Sequence, residues 1–518
     1  MSKNTFIKST FILTLATLLS KMLGSLFRIP LQNIAGDVVL GIFTLVYPVY
    51  MVTLILSVAG IPIAISKLIS EARVTGQDEE IRKIYKTASI LGLLFGFVSF
   101  SVIAAFSSPI SELLGGEESR TALLLVSTSL LAAPYMAVYR GYFQGFDDMN
   151  PTAYSQVIEQ FVRAGLIILI AYILTAQNFS DEKVAGGIMI GSVAGVLASL
   201  LFLRFLYVKS PHRVKASQDH YTLGDFIKWA KTILVISFPI AIGTVTMALL
   251  NIVDSFTVPF GLEKFGVEKS ISYVYGIYGR GLSLVQIATV FATSVILPLV
   301  PLLTARKKEN DESGMRSTIE LTHRLTHLIS WPAAVGLFAL AVPLNVALFT
   351  NAEGSLVIAI LGASSIFTSL TIIGTGVLQG MDYAKSAAWI IIAGVALKLV
   401  LNLVFVPAFG LEGAGYTTLI VYLALTIYNT AFIYKRIRFR IFDHALWKII
   451  GASCVMGGII GFPTFIFSVD RWSRIGSLFY VLGAITVGGL IYALLLYFTK
   501  ALDQKTLKSM PLIGKWFV

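Results

Sequence analysis

The sequence predicts an all-α, polytopic membrane protein of about fourteen transmembrane helices, and three observations predict it. The 518 residues are 56% hydrophobic and 13% charged, with mean hydropathy +0.81. Soluble domains carry roughly a quarter charged residues, so a soluble globule is excluded. Apolar runs of about twenty residues, the length that crosses a bilayer, recur from end to end. Those runs do not alternate apolar and polar residues, which argues against a transmembrane β-barrel.

The runs place helices at about 6–29, 38–66, 87–107, 121–145, 152–175, 184–207, 231–256, 271–303, 323–349, 355–381, 384–406, 411–434, 445–468 and 474–499. Lys3 and Lys8 precede the first run as in a signal peptide. No A-x-A-like site follows and the pattern continues, so 6–29 reads as the first helix. Loops are short and carry turn residues, as in Phe146-Asp147-Asp148-Met149-Asn150-Pro151 and Gly410-Leu411-Glu412-Gly413.

Fourteen spans put both termini on one side. The termini and the loops on that side hold 28 of the 40 Lys and Arg, while the opposite loops hold 6 against 11 Asp and Glu. The positive-inside rule then makes both termini cytoplasmic and the protein a multi-pass resident of the cell membrane. Topology also accounts for most of the net charge of +12, so no nucleic-acid partner is expected. The single Cys454 excludes an intramolecular disulfide or a cysteine metal cluster.

An internal repeat sets the domain organisation. Tyr142-Phe143-Gln144-Gly145 followed by Arg163 matches Val377-Leu378-Gln379-Gly380 followed by Lys398, with 19 residues from Gln to base in both. The match predicts two six-helix lobes, an N-lobe over 1–207 and a C-lobe over 231–434, joined by a cytoplasmic linker over 208–230. A pseudo-two-fold axis along the membrane normal relates them, and binding sites of such transporters lie between the repeats. Two further helices over 445–499 fall outside the repeat, and 500–518 forms a cytoplasmic tail.

Six basic residues are read as buried within predicted spans: Lys21, Arg28, Arg140, Arg163, Arg280 and Lys398. Glu159 and Asp254 are the carboxylates read at comparable depth. A charge at the bilayer centre costs at least about 2.5 kcal/mol and normally faces a cavity or a partner. The surplus of about four positive charges predicts a water-filled cavity built for an anion.

Lys21 and Arg28 are seven residues apart, two helical turns, and share a face of helix 1; Arg28 alone also suits snorkelling to the outer interface. In Tyr273-Val274-Tyr275-Gly276-Ile277-Tyr278-Gly279-Arg280-Gly281 the glycines permit close approach, and the guanidinium of Arg280 matches phosphate oxygens bidentately. Glu159 precedes Arg163 by four, a favourable intrahelical pair that reads as structural. Arg140 stands near the cytoplasmic end of helix 4. Lys398, the one base buried in helices 9–12, is expected to pair with Asp254, with Asn402 one turn further on. Alternatively, Asp254 binds a coupling Na+ or H+.

Enzymatic signals are absent. His323 and His327 are four apart without a third ligand and read as solvated, so no metal site is expected. No GxxxxGK[ST] loop points to ATP hydrolysis. No resident cofactor is expected, and the chain does not read as an enzyme.

Ser20-Lys21-Met22-Leu23-Gly24 resembles the S-[RK]-x-L-G of helix 1 in the multidrug/oligosaccharidyl-lipid/polysaccharide (MOP) exporter superfamily. Arg140-Gly141-Tyr142-Phe143-Gln144-Gly145, Pro151-Thr152-Ala153, Gln156-Val157-Ile158-Glu159-Gln160 and Tyr278-Gly279-Arg280-Gly281 with Leu284-Val285-Gln286 are similar to its polysaccharide-biosynthesis and sporulation (SpoVB-like) branch, related to the lipid II flippases (MurJ). The resemblance covers essentially the whole chain. It implies two lobes in a V, alternating access, and flipping of an undecaprenyl-pyrophosphate-linked saccharide. It also implies cavity roles for Lys21, Arg28 and Arg280, and a lipid-tail groove on helices 13 and 14.

Pyrophosphate contact would fall to Lys21, Arg28 and Arg280, with Arg140 and Arg163 as further candidates. The expected partners are the polyprenyl-pyrophosphate-linked saccharide and membrane lipids, with the protein as a monomer. A drug/cation antiporter of the same fold is the alternative, and a non-transporting scaffold for envelope or spore assembly is a third reading.

Overall fold

The computed structural model describes residues 3–211, 213 and 221–501. The described residues contain helices and no strands, and they divide into two compact units, Met1–Gly276 and Ile277–Val518. The first holds α1 (Lys3–Leu26), α2 (Arg28–Val58), α3 (Ile61–Val74), α4 (Asp78–Ala105), α5 (Ser107–Leu113), α6 (Glu118–Ser127), α7 (Ala133–Gly145), α8 (Asn150–Ala176), α9 (Asp181–Lys209) and α10 (Leu223–Phe265). Helix α11 (Ile271–Lys308) begins in the first unit and runs into the second. The second unit continues with α12 (Glu312–Ala339), α13 (Ala341–Phe349), α14 (Ser355–Gly380), α15 (Ala384–Phe409), α16 (Leu411–Arg436), α17 (His444–Ile466) and α18 (Arg474–Phe498).

Twelve stretches are long and apolar enough to cross a membrane, and α12 with α13, bent by 77°, adds a thirteenth. One stretch, 15–74, covers 60 residues. At 1.5 Å per residue it is about 90 Å long, twice the roughly 45 Å of a whole bilayer, so it holds two spans. The fourteen expected spans are thus all present.

The departures from the expected boundaries have local causes. The loop expected between helices 1 and 2 is helical. Phe27 keeps right-handed helical angles, and the real break is Gly36, whose φ of 80° suits a residue without Cβ. Arg28 therefore opens α2 instead of closing α1, and the second span ends at Ala59-Gly60 before α3 continues from Pro62. Helix 4 is broken by a 3-10 turn at Thr128–Leu131, just before Pro134. Helix 9 bends at Leu340, with Pro343 early in α13.

Helix α10 starts within the expected linker because Thr222 and Asp225 form a capping box. The Thr222 hydroxyl accepts from the Asp225 N–H (3.2 Å), and the Asp225 carboxylate accepts from the Thr222 N–H (3.0 Å). Lys83 on α4 pairs with that carboxylate at 3.2 Å, and α10 also packs on α2. Helix 7 of the sequence reading accordingly belongs to the first compact unit. The expected tail lies outside the described residues apart from Lys500 and Ala501.

The repeat reappears as matched packing inside each unit. A Cβ on Gly145 would stand 2.7 Å from the Cβ of Ile69, and one on Gly380 would stand 2.8 Å from the Cβ of Leu303. The Ser70 hydroxyl donates to the Gly145 carbonyl at 3.0 Å, and the Thr304 hydroxyl donates to the Gly380 carbonyl at 3.2 Å. Arg73 pairs with Asp147, and Lys307 pairs with Asp382 at 3.6 Å. Each Gln-Gly turn is thus clasped by the C-terminal end of the helix beneath it, with glycine needed for the close approach.

Candidate functional site

The first unit assembles most of its predicted site residues into one polar chain. Glu159 bridges two arginines: Arg163 Nη2 donates to its Oε1 at 2.9 Å, and Arg140 Nη2 donates to its Oε2 at 2.8 Å. Arg140 also donates to Ser155 and Ser199 Oγ, both at 3.1 Å. Arg163 Nη1 donates to the Tyr47 hydroxyl at 3.1 Å. Tyr47 stacks on Phe43 with centroids 5.1 Å apart, and the guanidinium of buried Arg28 lies 5.5 Å from the Phe43 ring.

That arrangement follows from helix geometry. Ser155, Glu159 and Arg163 recur every four residues on α8 and share a face. Small residues let α9 close on it: a Cβ on Gly195 would stand 2.7 Å from the Glu159 carbonyl oxygen. The Glu159–Arg163 pair read from the sequence is present, and Arg140 joins it from α7. A buried ion pair that loses one partner leaves an uncompensated charge, so Glu159 holds two cations in place.

Lys21 and Arg28 part company. The helical backbone carries through Phe27, but Lys21 is exposed while Arg28 is buried against Phe43, so Arg28 does not snorkel. Asp254 is buried on α10; neighbouring Tyr275 bonds Ser255 and has both Asp254 and Arg28 in its electrostatic surroundings. The sequence reading missed Asp37, which it assigned to a loop. Asp37 is buried in α2 and accepts from Gln32 Nε2 at 3.2 and 3.3 Å. With Asp37 counted, the spans carry six of these cations against three carboxylates, and Lys21 among the cations is exposed.

In the second unit Arg280 is fully buried. Its Nη1 donates to Asn351 Oδ1 at 2.8 Å and to Asn345 Oδ1 at 3.0 Å, and its guanidinium lies 5.5 Å from the Phe349 ring. Asn345 in turn donates to the Glu353 carbonyl (2.8 Å) and Ser355 Oγ (3.0 Å). Arg280 therefore fastens the bent α13 and the turn after it. The sequence carried a signal for this that went unused: Asn345 is the one polar side chain in the apolar run of α13. Lys398 and Asn402 are buried one turn apart on α15. Asp254 belongs to the first unit and these two belong to the second.

His323 and His327 are not solvated as expected. His323 is buried beside Phe439 (centroids 5.3 Å apart), and His327 accepts from Trp331 Nε1 at 3.1 Å. The segment between α16 and α17 covers them. No group of three or more metal-type ligands occurs among the described residues.

Fourteen apolar spans with guanidinium groups buried in both units define a polytopic helical membrane protein. The chain matches the polysaccharide biosynthesis protein family over residues 6–307 and belongs to that family. It is similar to the lipid II flippase MurJ of Bacillus subtilis (strain 168), with 26% identity covering 82% of this chain and 81% of that protein. It is equally similar to the stage V sporulation protein B of the same organism, at 26% identity over the full length of both.

Among solved structures, a lipid II flippase MurJ in an inward closed conformation superposes with TM-score 0.69 at 16% identity, covering 95% of this chain and 99% of that one. An inward-facing multidrug resistance MATE family transporter of the MOP superfamily gives 0.65 at 17% identity, covering 82% and 94%. These two likenesses establish the fold.

Proposed function

We propose that the protein is a flippase that moves an undecaprenyl-pyrophosphate-linked saccharide, a lipid II-like precursor or a polysaccharide unit, across the cell membrane by alternating access. The observation that carries this reading is the excess of cations over carboxylates within the spans: Lys21, Arg28, Arg140, Arg163, Arg280 and Lys398 against Asp37, Glu159 and Asp254. Buried charge of one sign is costly to maintain and is explained by an anionic cargo. Exposed Lys21 and its neighbour Arg28 are the first contacts assigned to the pyrophosphate. Glu159 holds Arg140 and Arg163 in place, and both are further candidates for contact with the anion. Arg280 is enclosed in this conformation, so its contact with cargo requires α13 to move.

The loop charges orient both termini to the cytoplasm. Helices α17 and α18, outside the repeat, expose Val455, Ile459, Phe462, Leu482, Ile485 and Leu490, an apolar surface suited to a polyprenyl tail. Asp254, with Lys398 and Asn402, is assigned to coupling, either as an ion pair or as a Na+ or H+ site. We take the working unit to be a monomer. In proteoliposomes, a fluorescent polyprenyl-pyrophosphate saccharide should become accessible across the bilayer with the wild type. Lys21→Ala with Arg28→Ala should abolish that transfer.

A drug/cation antiporter is the second reading, favoured by two of the three acids buried in the first unit, Asp37 and Asp254, the third being Glu159 between its arginines. Efflux of cationic drugs lost in Asp254→Asn and kept in Arg28→Ala would select it.

A further inference from the structure

The segment 437–443, between α16 and α17, is a non-helical strap whose side chains alternate in direction. Phe439 is buried against His323 and Tyr434, while Arg438 and Arg440 are exposed. Main-chain bonds dock the strap on α12: Arg316 Nε donates to the Arg438 carbonyl, and the Arg440 N–H donates to Glu320 Oε1 at 2.9 Å. Arg324 pairs with Asp443 at the strap's end. The two acids here are therefore already engaged, each by a donor that fixes the strap.

What remains is a pocket of about 360 Å3 lined by Arg316, Arg438, Arg440, Glu320, Tyr434 and Phe439. The Arg438 guanidinium lies 4.7 Å from the Tyr434 ring, which fixes its direction. At one edge of the strap Phe442 and Trp447 stack with centroids 6.3 Å apart and planes 15° from parallel, both more than 60% exposed. Trp is enriched at the level of lipid head groups, and exposed Trp447 lies in the first turn of the apolar helix α17. From Trp447 the exposed face of α17 continues through Val455, Ile459 and Phe462, at helical spacing.

We propose that this pocket binds the phosphate of an anionic membrane phospholipid, with Arg316, Arg438 and Arg440 on the phosphate. The Phe442–Trp447 pair seats the glycerol shoulder, and the acyl chains lie along α17. Three guanidinium groups supply planar donors matched to phosphate oxygens. Basic pockets between membrane helices on the cytoplasmic side hold anionic head groups by the same electrostatics. A free phosphate would use the arginines alone; the continuity with the aromatic pair and the α17 face selects a lipid. The arginine pocket contains none of the residues assigned to the pyrophosphate, although the α17 face is also the one assigned to the polyprenyl tail, so loss of phospholipid binding in the arginine variants leaves the flippase reading intact.

The test uses the full-length protein in nanodiscs of phosphatidylcholine alone or with phosphatidylglycerol, read by thermal unfolding and by native mass spectrometry of retained lipid. Phosphatidylglycerol should raise the midpoint of the wild type and remain bound. Arg438→Gln/Arg440→Gln should lose at least tenfold in retained phosphatidylglycerol while unfolding normally in phosphatidylcholine, and Trp447→Ala should lose part of it. Arg438→Lys/Arg440→Lys, which keeps the charge, guards against a folding defect and should retain most of the binding. Equal retention by wild type and the Gln variant overturns the proposal. So does a midpoint shift reproduced in full by soluble glycerol phosphate and insensitive to Trp447→Ala.

Discussion

Asp147 and Asp382 occupy the same station in two turns 235 residues apart. Both adopt left-handed backbone angles, with φ of 63° and 68°, and both pair with a base from the helix beneath, Arg73 and Lys307 respectively. Each follows a Gln-Gly pair whose glycine carbonyl accepts from a hydroxyl three residues before that base. The repeat is therefore conserved in contacts as well as in letters: a hydroxyl, a base, a glycine and an aspartate recur together.

The two aspartates contribute through backbone as well as charge. An exposed ion pair is worth at most about 1 kcal/mol. A left-handed residue with a Cβ costs a further 1–2 kcal/mol or so where no short polar side chain compensates. Asp147→Ala and Asp382→Ala should each lower stability by about 1–2 kcal/mol in chemical unfolding. Asp147→Gly and Asp382→Gly should lose less. Equal losses for Ala and Gly would refute the backbone part of this account.

Much of this was legible in the sequence, for a physical reason. A span must be about twenty apolar residues long, so the fourteen spans announced themselves through length and hydropathy, and Gln144 and Gln379 aligned the repeat. What the sequence did not reveal depended on local backbone choices. Gly36 takes non-helical angles and breaks α2, and Asp37 just beyond the break is buried. His323 read as solvated because the strap that covers it is remote in sequence. Arg280 was legible as a buried cation. Its neighbours Asn345 and Asn351 were not, since neither residue type nor spacing ties them to helix 8.

Close approach of α2 and the start of α11 depends on two glycines. A Cβ on Gly41 would stand 1.7 Å from the Ser272 carbonyl oxygen, and one on Gly276 would stand 2.0 Å from the Asp37 carbonyl oxygen. Backbone cannot yield as a side-chain tip can, and overpacking of this kind costs about 1–3 kcal/mol. Gly41→Ala and Gly276→Ala should each lower the thermal midpoint measurably, whereas Gly165→Ala, which faces open space, should leave it unchanged. An unchanged midpoint in Gly41→Ala would show that the two helices do not touch there.

Glu159 is the single carboxylate between Arg140 and Arg163. Removing one partner of a buried ion pair costs about 3–5 kcal/mol because the other charge stays buried. Glu159→Ala should approach that loss, and Glu159→Ala combined with Arg140→Leu should recover part of it. A double-mutant cycle read by unfolding of the purified protein decides the matter. Strict additivity would contradict the bridge.

Acid should loosen the termini of three helices. Burial raises the Asp443 carboxyl, but the Arg324 hydrogen bond and charge and two backbone N–H groups outweigh it and hold the group below its ordinary 3.8. Asp225 is held low by Thr222 and Lys83, and Asp311 by the N–H of Gly314 and the hydroxyl of Ser313. A depressed carboxylate lends stability that is complete above its unfolded pKa and is lost as pH falls through the folded value. The midpoint should therefore not change on their account between pH 7 and 5, and should drop below about pH 4. The Asp443→Asn variant should show a smaller acid-induced drop than the wild type; an equal drop would remove Asp443 from this account.

The most direct test of the central claim compares two cargoes in one assay. Proteoliposomes would be given a polyprenyl-pyrophosphate saccharide and a matched polyprenyl saccharide without phosphate, with the wild type and with Lys21→Ala/Arg28→Ala. The account predicts transfer of the pyrophosphate lipid alone by the wild type, abolished in the double variant. Transfer of the neutral lipid at the same rate, or undiminished transfer of the pyrophosphate lipid by the double variant, would contradict it.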